Sequence, residues 1–545
     1  MGTPELPVPD GLVLRPFRGV RFDVEDPAKV TSPPYDLISD ADVEALLASH
    51  PNNVVRLILP CNPEATPATE HGTPPGPAAT SSRLRHRTEV PLEARYSEAR
   101  DTLRAWLDAG VLVADDTPAL YVYEQSGPHV LQRGLIGDVG LIDPAERVIL
   151  PHEDVMPGPI ADRLALMSTT EANLEPIFLL YNGDHGRATR LVDEVAAKRP
   201  PLVTAGTEDG LTHRLWAITD QDEIDAINAD LRNRQALIAD GHHRYATYRV
   251  LQRQEHAARQ ALRDGTHQAT PHDLSQEALR PTIPQASQHV SLNAPLSMPT
   301  QNSQGTPQLS PAPSATPDHP GHPSPSPVTS FRHELTDHLA HPSAEPASAP
   351  AEPRQALGPW DFGLALIVDS TAYPPDLKAI HRVIPGLPLT EAAARARGAW
   401  QVHDYDDLAQ GLAALQDAAE PAFLLAGEGG THLLTDPDPV QLNLAMPDHH
   451  SDRWNSLNTS ILTEFILPKV WGMEDDERAV RIVHHDTEAA LRLAIQTGGT
   501  AVILKPLMVH DVLAVAAGGE RVPRKSTSFG PKPRTGLVLR TFAID

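Results

Sequence analysis

The chain has 545 residues, with 45 Lys and Arg against 71 Asp and Glu, a formal net charge of -26 with the histidines neutral. A surface this acidic repels nucleic acid and anionic membrane at long range, and no basic stretch with interleaved aromatics offsets it, so a small-molecule partner is expected and neither of those. The single cysteine, Cys61, excludes an intrachain disulfide and a cysteine zinc cluster. The start of the chain lacks a basic region followed by an apolar core. The apolar runs fall short of the roughly 20 residues that span a bilayer, so a cytoplasmic protein is expected. Oligomeric state is not legible.

The apolar run Leu12–Phe17 opens the patterned chain, followed by Ser32-Pro33-Pro34-Tyr35-Asp36, where two prolines force an extended or turn conformation. Ser39 or Asp40 is expected to cap a helix through Val43, Leu46 and Leu47. Asn53–Leu59 reads as a strand. Residues 61–83, rich in Pro, Ala and Thr, read as a low-complexity loop. Residues 92–109 carry apolar groups at helical spacing, with Gly110 as a C-cap. Strands are expected at Leu120–Glu124, Leu131–Leu141, Pro176–Tyr181 and His213–Ile218, and Asp220 with Glu223 forms a capping box for the next helix. The run Gln235–Ile238 then leads into Ala239-Asp240-Gly241-His242-His243-Arg244-Tyr245 and a helix-compatible stretch.

Residues 262–356 are a tract of Gln, Pro, Ser, His, Thr and Ala, too poor in core-forming groups to offset the entropy of ordering. They are expected to be a disordered insertion, with Phe331–Leu335 as one brief helical turn. Strands resume at Phe362–Val368, then helices at Ile461–Ile466 and Glu488–Ile495 and a strand at Ala501–Lys505. Strands mixed with helices at intervals predict an α+β fold, with mixed sheets and flanking helices. The expected organisation is an N-terminal α+β region, 10–60 and 84–261, that holds the site, and a C-terminal α+β region, 357–545, that packs on it.

A strand that ends in Asp-Gly and opens into a helix loaded with His and Arg is suited to an anion. Glycine allows the sharp turn and close approach of a ligand, and the first-turn amides point outward. Arg244 offers a planar fork to phosphate or carboxylate, and Asp240 can take a proton from a hydroxyl. The competing reading is a surface turn with solvated histidines.

Two further clusters carry chemistry. His152-Glu153-Asp154 precedes a helix starting near Gly158-Pro159 that holds Asp162 and Arg163. His152, Glu153 and Arg163 can orient a substrate or a magnesium-bound phosphate; an ordinary helix start explains them as well. Glu171 and Asn173 lie just before a strand, a position that suits ligand-facing side chains and turns alike. Near the C-terminus, Arg524-Lys525-Ser526-Thr527 and the following residues to Lys532 set basic groups among hydroxyls, as either a phosphate-contact loop or a solvated surface. No Walker-type loop occurs. The pairs His242-His243, His449-His450 and His484-His485 diverge by about 100° if helical, a poor arrangement for one metal ion, and no metal site is expected. Asn458-Thr459-Ser460 and His381-Arg382 are pocket candidates whose other reading is a helix cap and a strand end.

In these spaced motifs the chain resembles the bacterial and archaeal family of domain of unknown function 1015. The resemblance is carried by Phe17-Arg18-Gly19, Ser32–Asp36, His152-Glu153, Asp162-Arg163, Ala239–Tyr245, Ala379-Ile380-His381-Arg382 and Lys525-Ser526-Thr527. The Asp240–Arg244 element is also similar to one in the ParB/sulfiredoxin-like superfamily, which includes free-serine kinases. That similarity implies such an element around residues 210–260. It implies Asp240 as base toward a substrate hydroxyl, with Gly241, His242, His243 and Arg244 on nucleotide phosphates. The remaining kinase carboxylate has no matching motif here, and Glu153 is taken for it.

The reading is a nucleotide-dependent phosphotransferase using ATP or ADP with magnesium on a small, serine-like hydroxyl metabolite. Asp240, Glu153 and His152 are the catalytic candidates. Gly241, His242, His243, Arg244, Arg163, Lys525, Ser526 and Thr527 would hold phosphate, and Tyr35, Asp36, Glu171, Asn173, His381 and Arg382 would line the substrate pocket. The alternatives are a nucleotide-binding regulator without turnover, and a metal-dependent phosphatase or other hydrolase built on His152, Glu153, Asp154 and the pair His242-His243.

Overall fold

In the computed structural model, which describes residues 6, 9–60, 92–263, 357–475 and 479–544, the apolar runs after residue 120 gather into a mixed sheet. Its strand order is Ile149–Leu150, Ala236–Asp240, Ile177–Tyr181, Phe362–Asp369, Val130–Gly140, Leu120–Gly127, Thr212–Ile218 and Val203–Gly206, with Leu14–Arg15 pairing on Val130–Gly140. The central strands Ile177–Tyr181 and Phe362–Asp369 run parallel to each other and are buried along their whole length. Continuous apolar runs are what a strand covered on both faces requires. Helices Arg187–Lys198, Gln221–Leu231 and His242–Arg263 cover one face through Leu191, Ile224, Ile227, Tyr245 and Leu251. Trp454, Val512 and Val515 cover the other.

A second, antiparallel sheet has the order Gln401–Tyr405, Gly430–Thr435, Phe423–Gly427, Thr500–Ile503, Ile380–Ile384 and Arg481–His484. The chain ties this part back to the first sheet twice. Phe362–Asp369 lies inside that sheet, and near the C-terminus Arg540–Thr541 pairs with Ala172–Asn173, just before the sheet strand Ile177–Tyr181, as a separate two-stranded ribbon. Mixed α+β sheets with flanking helices are thus the architecture of the described residues.

Local signals held where they rested on side-chain chemistry. Ser39 caps Asp40–Ser49 in a reciprocal capping box, although with Asp42 as its partner. Asp220 accepts from the Glu223 amide at 3.1 Å. The Glu223 carboxylate does not close the expected box and reaches Arg199 at 2.5 Å instead.

Two elements differ from expectation. Asn53–Leu59 is not a strand: Val55–Ile58 is a short helix, started by the Asn53 side chain, which accepts from the Val55 amide at 3.0 Å. A short apolar run has no period that separates a buried strand from a buried helical turn. Ile461–Ile466 is helical, but it passes from an α turn, Asn458–Ile461, into a π-helix, Leu462–Val470, that contains Pro468. A proline without an N–H breaks the ordinary ladder there.

The helix His242–Arg263 takes in the first two residues of the expected insertion. Cys61, the loop 61–83, Phe331–Leu335 and the rest of the insertion from 264 to 356 lie outside the described residues. No helix among the described residues is long and apolar enough to cross a membrane.

Candidate functional site

The site is built on the turn between Ala236–Asp240 and His242–Arg263. The strand register shifts between Ile238 and Asp240, and the chain then turns through Gly241 at a φ of 89°. A Cβ on Gly241 would stand 3.0 Å from Ile177 Cγ2 and 3.1 Å from Arg244 Nε, so only glycine fits without a shift. The first bond closing the helix runs from the Tyr245 amide to the Gly241 carbonyl at 2.8 Å. The amides of His242, His243 and Arg244 precede it and have no intrahelical acceptor.

Charges from three distant segments meet here. Lys532 Nζ is 2.6 Å from Asp240 Oδ1 and 2.5 Å from Asp36 Oδ2, and Arg244 Nη2 is 2.5 Å from Asp240 Oδ2. Burial, reinforced by the Asp36 charge, raises the Asp240 carboxyl against the pull of Lys532 and Arg244. Partial shielding acts the same way on Asp36, which lies at the rim with its side chain 37 % exposed, but there Lys532 and Arg244 win and hold the carboxyl low. Lys532 is raised: burial opposes its charge and the two carboxylates outweigh that.

Beneath the pair, Tyr35 lies 4.5 Å from the Arg163 guanidinium and 5.9 Å from that of Arg244, and burial pushes its phenol up to about 12. Glu175, 4 % exposed, accepts from the Tyr35 amide at 3.0 Å and from Thr535 at 3.1 Å, and burial raises its carboxyl.

Beside this triad stands a second group. Thr527 Oγ1 donates to Glu153 Oε1 at 2.9 Å and meets His152 Nε2 at 2.8 Å. Burial raises the Glu153 carboxyl, with Thr527 and Lys525 opposing. His152 is fully buried, packs edge-on against His242 and Phe529, and is pushed down to about 3 by burial. His242 Nε2 accepts from the His152 amide at 3.3 Å and His243 Nε2 from the Met156 amide at 3.0 Å. Both imidazoles are held below their ordinary range, first by burial. With Nε2 accepting from an amide, each neutral ring carries its proton on Nδ1. Lys525, in a left-handed backbone conformation at a φ of 55°, and His484 are exposed on the open side.

The structure distributes the expected site residues unevenly. Asp36, Glu153, Asp240, Gly241, His242, His243 and Lys525 surround the opening of the helix, and Thr527 braces Glu153. Arg244 is 4 % exposed, and its two terminal nitrogens are taken by Asp240 and the Pro176 carbonyl. It braces the turn instead of presenting a fork outward. Arg163 is likewise committed, to Asp162 and the Ile58 carbonyl. Ser526 is buried and bonds the Pro523 carbonyl. Glu171 caps Pro157–Thr170 in a left-handed conformation, and Asn173 is buried on Arg540 and the Leu364 amide.

His381 and Arg382 sit in the second sheet. His381 accepts from the Leu504 amide, and Arg382 donates to the Arg524 and Lys525 carbonyls at 3.0 Å, which fixes the loop that carries Lys525. Asn458, Thr459 and Ser460 are buried, and no side chain caps their helix. Asp154 is exposed toward Arg521, away from the buried His152 ring. Lys532 closes the basic segment expected to contact phosphate, but only Lys525, Ser526 and Thr527 are assigned to phosphate from it. Its position between two prolines, Pro531 and Pro533, was the available signal for a rigidly presented cation.

A magnesium ion held by protein ligands does not fit this donor set. The two nearest carboxylates converge on the Lys532 ammonium, so a cation already stands where a divalent ion would have to sit. Among the described residues no group of three or more His, Cys, Asp or Glu side chains is placed to hold a metal.

Residues 14–272 match the family described as "Protein of unknown function (DUF1015)". No curated protein matches the chain. Among solved structures, a free serine kinase in complex with AMP is similar at 11% identity and a TM-score of 0.27, covering 70% of this chain and 84% of that one. SbnI with a C-terminal truncation from Staphylococcus aureus is similar at 9% identity and a TM-score of 0.31, covering 75% and 88%. A conserved hypothetical protein from Pyrococcus furiosus is similar at 10% identity and a TM-score of 0.28, covering 74% and 93%.

Proposed function

We propose that this chain, whose residues 14–272 match a family described without a function, is a nucleotide-dependent phosphotransferase acting on a small, serine-like hydroxyl metabolite. The observation that carries the reading is Lys532, an ammonium bridging Asp36 and Asp240 at the first turn of a long helix. The amides of that turn and the exposed Lys525 add positive potential in an otherwise acidic protein. The motif resemblance of Asp240–Arg244 supports the reaction class, and the convergence of Asp36, Asp240 and Lys532 supports this location for it.

In the transfer, the acceptor hydroxyl oxygen bonds to the terminal phosphorus as the bond to the bridging oxygen breaks. The nucleotide leaves one phosphate shorter. Lys532 turns from the carboxylates to the phosphoryl oxygens and offsets their charge, which frees Asp240 to take the hydroxyl proton. Glu153, braced by Thr527, and the Nδ1–H groups of His242 and His243 orient the reactants. The Asp240 carboxylate, engaged at both oxygens, also favours a second reading, a nucleotide-binding regulator without turnover.

Isothermal titration with ATP, ADP and AMP tests the shared premise. Wild type is expected to bind at least one of them, and Lys532→Ala to bind tenfold more weakly or worse, about 1.4 kcal/mol. No binding by wild type overturns both readings. Phosphorylated product formed from serine or a related alcohol selects the transferase, and binding without product selects the regulator.

A further inference from the structure

Tyr35 also forms one wall of a cavity of about 340 Å³. Its walls include Tyr35, Pro60, Arg95, Tyr96, Asp162 and Arg163. The charges in those walls are not balanced one to one. Asp162 accepts from Arg163 Nη2 at 2.6 Å and Nε at 2.9 Å, and from the Tyr96 hydroxyl at 2.5 Å. Arg163 spends its remaining terminal nitrogen on the Ile58 carbonyl. Arg95 is different: its Nε is buried without a hydrogen-bond partner, and its guanidinium makes no hydrogen bond or ion pair among the described residues.

A buried N–H with no acceptor is costly, and a guanidinium presents its donors in a planar fork matched to a carboxylate. The cavity is of the size that encloses a small metabolite, with apolar walls from Leu59, Pro60 and Pro159 around one polar anchor.

We propose that this cavity is the acceptor subsite, and that Arg95 grips the carboxylate of a small hydroxy acid whose hydroxyl is directed toward Asp36 and Asp240. The inference rests on the phosphotransferase reading and adds to it the class of acceptor. The covalent chain supplies the direction. Tyr35 forms the cavity wall, and the next residue, Asp36, pairs with Lys532 at the transfer site. The phosphate-directed cations Lys525 and Lys532 do not line this cavity, so its anion is the acceptor's own.

The test uses the full-length protein saturated with ADP and matched pairs of probes that differ by the carboxylate: glycolate against ethylene glycol, D-glycerate against glycerol, L-serine against ethanolamine, with inorganic phosphate as a separate arm. Binding is read by ligand-observed saturation-transfer NMR and titration. At least one acid is expected to bind wild type tenfold or more tightly than its partner without the carboxylate. That preference is expected to vanish in Arg95→Ala and to return in part in Arg95→Lys, which restores the charge without the fork. Thermal unfolding reports whether each variant is folded. Equal binding within every pair, no binding of any acid, an acid preference that survives in folded Arg95→Ala, or inorganic phosphate outcompeting the acids at Arg95 each overturns the proposal. ADP binding to wild type, read in the same titrations, is the separate arm: its absence overturns the nucleotide reading whatever the acids do.

Discussion

The helix His242–Arg263 carries polar clusters at two places along one axis, and they behave differently. About two turns in from its start, Arg249 donates to Gln252 at 2.6 Å, and Gln252 and His256 both reach Asp361 Oδ1, at 2.8 and 2.7 Å. The Gly358 amide takes Asp361 Oδ2 at 2.8 Å. All four side chains are buried, and their hydrogen bonds converge on Asp361 as a closed centre, with only Arg249 Nε left unmatched among them. At the first turn the groups are as dense, but Asp36, Lys525 and His484 are exposed, and three amides precede the helical ladder. Polar density therefore does not identify a functional site. The distinguishing property is an open side on which charge and donors are left for something other than the protein.

That contrast can be broken by stability measurements. Asp361→Ala leaves Gln252, His256 and the Gly358 amide without their shared acceptor, and is expected to cost about 3 kcal/mol or more in denaturant unfolding. Lys532→Ala at the open cluster is expected to cost clearly less stability, because Asp36 is exposed and Asp240 keeps Arg244. Equal losses would make both clusters structural.

The next effect in size is on pH dependence. His152 is fully buried and burial has moved it from 6.5 to about 3. Between those values the unfolded chain takes a proton that the folded chain refuses. Stability therefore falls as pH drops through that window, by up to about 1.4 kcal/mol per pH unit. His213 and His381, each lowered to about 4 by burial, add slopes of the same sign. His152→Gln, which can still bond Thr527, is expected to flatten the profile between pH 6.5 and 4 without abolishing it. A profile parallel to wild type would show that His152 is not buried in its neutral form.

Smallest is Gly241→Ala, where a positive φ and contacts at 3.0 and 3.1 Å predict a loss of about 1–2 kcal/mol. A loss below about 0.5 kcal/mol would mean that the turn relaxes freely.

Much of the fold was legible where a local rule applies. The alternating and continuous apolar runs gave six strands of the large sheet but neither Ile149–Leu150 nor Val203–Gly206, and Asp-Gly after one of them gave the strand–turn–helix at the site. Ser39 and Asp220 announced their helices because capping is settled within a few residues. The short helix at Val55–Ile58 was not legible, since its start depends on Asn53, whose amide group is in turn held by the carbonyls of Lys29 and Thr31. Arg244 shows the same limit in the site. Its identity suggested a phosphate fork, while its role depends on the Pro176 carbonyl and on Asp240, which the fold brings to its two terminal nitrogens.

By itself, then, the sequence determined the mixed α+β class, the acidic surface that calls for a local basic site, and the turn at Asp240-Gly241 around which that site is built. Tertiary structure alone decided which charges face one another. Asp36, Asp240 and Lys532 are separated by hundreds of residues, and so are Glu153 and Thr527. No periodicity or spacing encodes such pairings, because ion pairs and desolvation act over a few ångströms of space and are indifferent to distance along the chain.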